Sequence, residues 1–242
     1  MNRALLCGSF LLSFAIACHA TCESRAQQAN TPEAAEVIDD FIEALGSEMM
    51  LSSIESCRIG GRVAGPVSGD MEVRCKGQNF VSEMQYSAST TVTFGLTDGT
   101  WWTQNGDSSR TSIEGAMANA IQSVNLTNLY FRSWPEFDGT IEVVGPADFR
   151  EQETWELRFT SKNDAEVNRF FDRESGLLVG CRYDLQGSNF EWSYEYSEVE
   201  DMLWISRAVA HQESVEFELT FTDFDLEAEI DDSIFALDTD DR

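Results

Sequence analysis

The groups in this 242-residue chain that could act as nucleophiles, proton carriers or metal ligands are unevenly supplied: six cysteines, two histidines and 43 carboxylates. With only His19 and His211, a histidine-based zinc site or a serine triad lacks its parts. No CxxC or Cys/His spacing marks a metal site, and the chain has no G-x-S-x-G, HExxH or P-loop motif. So many carboxylates guarantee chance pairs, but glycosidase chemistry needs two at about 5–9 Å in a cleft, one of them desolvated. The acids here alternate with apolar residues and read as a solvated face. No catalytic residue, metal or cofactor is expected. Two kinds of chemistry remain: reactions at cysteine sulfur, and burial of apolar matter against aromatic side chains.

The sulfur chemistry begins at the N-terminus. Arg3 followed by the apolar run 4–17, "ALLCGSFLLSFAIA", reads as an export signal, shorter than the roughly 20 residues of a membrane span. Ala15-Ile16-Ala17 runs into Cys18, an arrangement like a bacterial lipobox, in which Cys18 is acylated and becomes the new N-terminus. An ordinary cut after Ala17, Ala20 or Ala26 is the alternative. Either way the protein is exported, and is periplasmic or anchored to the outer membrane.

Beyond residue 30 stand Cys57, Cys75 and Cys181. "SCRIGGRVAGPVSGDMEVRCK" reads as a hairpin around Gly65-Pro66, and pairing symmetric about residue 66 sets Cys57 opposite Cys75. Opposed strand positions fall within the roughly 4.4–6.8 Å Cα separation of a disulfide. A Cys57–Cys75 bridge and two buried thiols are both open. Cys181 shares its parity with Leu177, Val179 and Tyr183 and reads as a buried thiol.

The apolar chemistry depends on the elements that present it. Residues 31–46 read as a helix, with Thr31 as N-cap, Pro32 in the first turn, an apolar stripe through Val37, Ile38, Phe41 and Leu45, and Gly46 as terminator. A short helical piece, "SEMMLSSI", leads into the first strand. From 55 to 104 the pattern is period two; a second helix is expected in 110–126, with a capping box from Thr111 to Glu114. Strands return from 141 to 226, followed by an acidic turn, "DDSIF", and a tail at 238–242. Strands joined by short turns predict one antiparallel sheet of about 11 strands in a single domain, 31–237, after a signal and polar tether at 1–30.

Alternation assigns the two faces. Trp155, Leu157 and Phe159 alternate with Glu156 and Arg158; Phe190, Trp192, Tyr194 and Tyr196 alternate with Glu191, Ser193 and Glu195; Val215, Phe217, Leu219 and Phe221 do the same. In "TDGTWWTQN" an Asp98-Gly99 turn sets Leu96 opposite Trp101 and Gly95 opposite Trp102. Trp101 then joins the apolar face, and Trp102 lies outside, covering the bare backbone of Gly95. The alternative for Trp102 is contact with a membrane or partner.

Eleven strands about 4.8 Å apart make a sheet on the order of 50 Å wide, and two helices cover only roughly 20 Å of it. The sheet is therefore expected to curl into an open or half barrel, with the helices on its concave apolar face. Such a curl packs solid or encloses an apolar cavity suited to an alkyl chain. The candidate wall is Met84, Trp101, Trp155, Phe159, Phe190, Trp192, Tyr194, Phe217 and Phe221. The formal charge of −27 excludes nucleic acid as a partner.

Four stretches in order, "FIEALGSEMMLSSIESCRIGGRV", "DGTWWTQN", "RFFDRESGLLV" and "FTDFDLEAEIDDSIF", resemble the bacterial outer-membrane lipoprotein-sorting family, related to the periplasmic lipoprotein carrier and its outer-membrane receptor. The likeness spans roughly residues 37 to 237. It implies an open curved sheet with helices in its hollow and non-enzymatic binding of lipid or lipoprotein acyl chains. The family's functional arginine has no assigned counterpart, because Arg58, Arg62 and Arg74 all have outward parity. An envelope scaffold or lipid-sensing protein acting through protein contacts is the alternative.

Overall fold

A computed structural model describes residues 31–46, 48–87, 90–113, 137, 139–162, 164–185, 187–213 and 215–236. Contacts divide the chain into residues 1–33 and a compact unit from Ala34 onward; every element below belongs to the second unit. Of the first, only residues 31–33 are described, without regular structure. The cleavage site, Cys18 and the 238–242 tail lie outside the described residues.

Helix α1 (Ala34–Leu45) begins two residues after Pro32 and buries Val37, Ile38, Phe41, Ile42 and Leu45, the stripe its periodicity predicts. The turn at Gly46 leads to α2 (Glu48–Ser53), which buries Leu51. The first meander follows: β1 (Ser56–Ala64), β2 (Gly69–Lys76), β3 (Asn79–Ser87), β4 (Thr90–Thr97), β5 (Thr100–Asn105) and β6 (Thr111–Ser112). The second runs through β7 (Gly139–Phe149), β8 (Gln152–Ser161), β9 (Glu166–Asp172), β10 (Leu178–Leu185), β11 (Ser188–Val199), β12 (Met202–Gln212) and β13 (Val215–Asp225).

All thirteen strands join one antiparallel sheet, β6-β5-β4-β3-β2-β1-β13-β12-β11-β10-β9-β8-β7. The first and last long strands close against each other, so the meanders meet at the β1–β13 seam while β6 and β7 stand at opposite edges. The count exceeds the expected 11, in part because Thr111 is not a helix cap. It pairs with Thr103 in the two-residue β6. The remainder of the predicted second helix lies outside the described residues.

The predicted registers hold. Cys57 faces Cys75, Gly95 faces Trp102, and Leu96 faces Trp101. Asp98 and Gly99 take φ of 48° and 80°, as a two-residue hairpin turn requires. Cys57, Cys75 and Cys181 are buried.

The outer face departs from expectation in two places. Trp102 does lie outside, but it is fully buried: a 3-10 turn at Asp232–Phe235 folds over it, packing Phe235 and partly buried Ile230 and Ile234 around Trp102 and Val81. Contact of Trp102 with a membrane is thereby overturned. Polar groups strap this segment down. Thr97 Oγ1 donates to Phe235 O at 2.7 Å and accepts from Trp102 Nε1 at 3.0 Å. Lys76 Nζ donates to Ile230 O at 3.2 Å, and Arg110 Nη2 to Ile234 O at 2.9 Å, with its guanidinium 4.1 Å above the Trp102 ring.

The second patch is Phe149 stacked on Phe170 at 4.6 Å, both buried beneath the Arg182 guanidinium. A Cβ on Gly180 would meet Phe149 at 2.3 Å, so this ring covers a strand glycine as Trp102 covers Gly95. The rest of the described outer face carries cross-strand ion pairs such as Arg58 with Glu72 and Asp223, Arg74 with Glu72 and Glu83, and Arg207 with Glu195 and Glu218. Arg58, Arg62 and Arg74 point outward, as their parity predicts, and Arg62 pairs with Asp70.

Candidate functional site

The inner face is shared unequally. Helix α1 packs over the β7–β12 arm: Phe41 meets Phe171 edge-on at 5.6 Å, and the Asp40 backbone comes close to Gly176. This arm is filled. Leu157, Phe159, Val167 and Phe171 are buried with α1, and Arg169 lies buried with its guanidinium 5.0 Å from the Phe159 ring.

The other arm has no comparable described cover. There the strands form a half-open cavity of about 350 Å³. Its wall takes Ile59 and Val63 from β1, Met71 and Val73 from β2, Phe80, Ser82, Met84 and Tyr86 from β3, Phe94 from β4 and Trp101 from β5. Across the seam β13 adds Phe217, Leu219 and Phe221, β12 adds Trp204, Ile205 and Ala210, and β11 adds Phe190 and Trp192.

Strands β5 and β11 are seven places apart in the sheet, about 34 Å if the sheet were flat. Sharing one cavity of this volume requires the sheet to bend around it. Register breaks at Gly60/Gly61 beside β13, Gln85/Ser87 and Glu195/Tyr196 supply places for such bending.

Of the nine wall residues expected from sequence, the structure brings six together here: Met84, Trp101, Phe190, Trp192, Phe217 and Phe221. The other three lie elsewhere on the inner face. Trp155 lies beneath Arg173, 4.8 Å from its ring; Phe159 packs edge-on with Phe137 at 5.6 Å; Tyr194 is buried against the Cys181 sulfur at 3.1 Å. All three have the expected inward parity, but they belong to the arm that α1 fills. Sequence reasoning missed Ala210 and Ser82, the small residues that keep the space open. Ala210 faces Trp192 on one side and Phe217 on the other, so its methyl leaves a floor between two aromatic walls. Ser82 sits likewise between Val73 and Phe94. A small residue at inward parity between large partners was the available signal.

Hydroxyls are sparse in the wall. Tyr86 donates to Met84 Sδ at 3.3 Å, and just outside it Tyr183 accepts from Trp192 Nε1 at 3.2 Å while stacking on Phe190 at 5.1 Å. Burial pushes the Tyr183 phenol up to about 12, despite the opposing Trp192 hydrogen bond, and burial also raises Tyr194 and Tyr196. A raised phenol leaves stability intact below the unfolded value near 10 and removes it as pH climbs through the folded value. Stability should therefore fall from pH 10 toward 12, by about 1.4 kcal/mol per pH unit for each buried phenol titrating in the unfolded state. Burial raises the Cys181 thiol as well, so its ionisation in the unfolded state adds to the same fall. Urea unfolding at pH 9 and 11 checks it; equal midpoints would contradict it.

No family model matches the chain, and no curated protein matches it. Solved structures do. A LolA superfamily protein from Nitrosomonas europaea superposes with a TM-score of 0.59 at 13% identity, covering 85% of this chain and 98% of that one. The chain shares that fold. A DUF1329 family protein from Desulfovibrio piger gives a TM-score of 0.58 at 10% identity, covering 84% of this chain and 96% of the other. The family likeness carried by the sequence motifs is thus met by the architecture, and at these identities the LolA-like neighbours establish the fold alone.

Proposed function

We propose that this LolA-like chain is a non-enzymatic carrier or receptor of the bacterial envelope that holds a lipid acyl chain in the cavity between its two meanders. The cavity itself carries the reading. At about 350 Å³, with an almost wholly apolar wall, it falls within the roughly 300–1,000 Å³ range of small-molecule pockets. A far smaller apolar cavity, about 150 Å³, already binds benzene. Methylenes entering it contribute about 0.8 kcal/mol each by leaving water.

The purified protein, sprayed from a gentle buffer for native mass spectrometry, should carry a retained lipid or take up a fluorescent fatty acid. A protein that arrives empty and binds none contradicts the reading.

Two modifications belong to the same proposal. Cys18 becomes the acylated N-terminus, tethering the domain to the outer membrane, and Cys57 and Cys75 close a disulfide in the oxidising envelope. Intact mass of the natively expressed protein reads both, as added acyl mass and as a gain of about 2 Da on reduction. An unmodified mass that does not change on reduction contradicts them.

A further inference from the structure

The register orders the cavity wall from one end of the sheet to the other. The turns at 77–78, 98–99 and 200–201 lie at one end, with the entry into β1; the turn at 65–68 lies at the opposite end, with the ends of β3, β10 and β12 and the starts of β4, β11 and β13. Near the first end stand Trp101, Trp204, Ile205 and Phe221, all buried, with Phe80 partly buried among them. The chain entering β1 adds Leu51 and Ile54 to the core there, and Trp204 closes on Phe224 at 6.0 Å. Near the second end stand Met84, Tyr86, Phe190, Trp192 and Phe217, only partly buried, beside buried Val63, Met71 and Ala210. The hydroxyls of Tyr86 and Tyr183 are at this end too, whereas the first end presents ring and alkyl carbon and the Trp204 indole N–H, buried without a hydrogen-bond partner.

Volume fixes the load. At about 350 Å³ the cavity lies near the lower end of the roughly 300–1,000 Å³ range of small-molecule pockets. That suits one alkyl chain of moderate length, not two or three side by side.

We propose that the cavity takes a single alkyl chain tail first, its methyl end at Trp101 and Trp204 and its polar head at the Tyr86–Phe190–Phe217 rim, so that the preferred ligand is a one-chain amphiphile. This rests on the reading of the cavity as a lipid site and narrows it. The chain could come from a free fatty acid or from a lysolipid; both present the same single tail.

Equilibrium binding of dodecanoic acid, 1-lauroyl-lysophosphatidylcholine and dilauroylphosphatidylcholine to the full domain tests the load. The one-chain probes should bind one to one and at least about tenfold more tightly than the two-chain probe, each methylene up to about a dozen carbons adding about fourfold. Which one-chain probe binds better separates the two sources. Dodecanoic acids bearing a photoreactive diazirine test direction: a label at the methyl end should attach to peptides containing Trp101 or Trp204, and a label beside the carboxyl to those containing Tyr86, Phe190 or Phe217.

Equal affinity for the two-chain lipid, or reversed attachment, overturns the inference while leaving lipid binding in place. Failure of all three lipids to bind overturns the lipid reading itself, and this inference with it.

Discussion

Replacing Ala210 with phenylalanine should abolish alkyl-chain binding while leaving the fold as stable as before. Ala210 is 1% exposed and lies on the cavity floor between Trp192 and Phe217. A benzyl group grown from it enters space that a ligand would otherwise occupy. In a solid core the same substitution would force neighbours off their rotamers and cost about 1–3 kcal/mol. In a hollow one it adds contacts in place of a void, so the midpoint of urea unfolding should hold or rise. Affinity for a one-chain probe should drop at least about tenfold, equivalent to about 1.4 kcal/mol or more. Destabilisation with binding retained would show that the floor is elsewhere.

The largest loss of stability should come from Trp102→Ala. The indole is fully buried on the outer face, shields Gly95, hydrogen-bonds Thr97 and supports Phe235 and the strapped segment before it. Removing a buried tryptophan costs about 3–5 kcal/mol, and the loss should free the 226–236 segment as well. The cover on the glycine makes a sharper test. A Cβ on Gly95 would lie 2.2 Å from Trp102 Cζ2, so Gly95→Ala should destabilise the wild type by about 1–3 kcal/mol. In the Trp102→Ala background the obstacle is gone, and alanine is no worse than glycine in a strand interior. The second substitution should then be neutral or stabilising, a coupling read from a double-mutant cycle. Additive losses would refute the cover.

These two sites mark how far the sequence could be read. Gly95 and Trp102 sit on adjacent strands joined by a two-residue turn, so one turn motif sets their pairing, and the short 65–68 connection does the same for Cys57 and Cys75. Phe149 and Gly180 lie on β7 and β10, three places apart, and no local pattern joins them. The strap over Trp102 is of the same kind: Thr97 and Phe235 are 138 residues apart, and "DDSIF" alone reads as an exposed acidic turn.

At the cavity, parity separated inside from outside correctly for all nine proposed wall residues, because strand alternation is a local property. It could not tell which arm α1 would fill. That depends on contacts such as Phe41 with Phe171 and left Trp155, Phe159 and Tyr194 in packed core. Attention to large aromatics also hid Ala210 and Ser82, whose small size makes the space.

The measurement that bears most directly on a chain-filled hollow uses its own tryptophans. Among the described residues Trp101, Trp192 and Trp204 line the cavity, while Trp102 and Trp155 do not. Titration with dodecanoic acid brominated along its chain should quench fluorescence saturably at one ligand per protein, and Ala210→Phe should abolish that quenching. Fluorescence that is unmoved, or quenched equally in the wild type and the filled variant, would contradict the account.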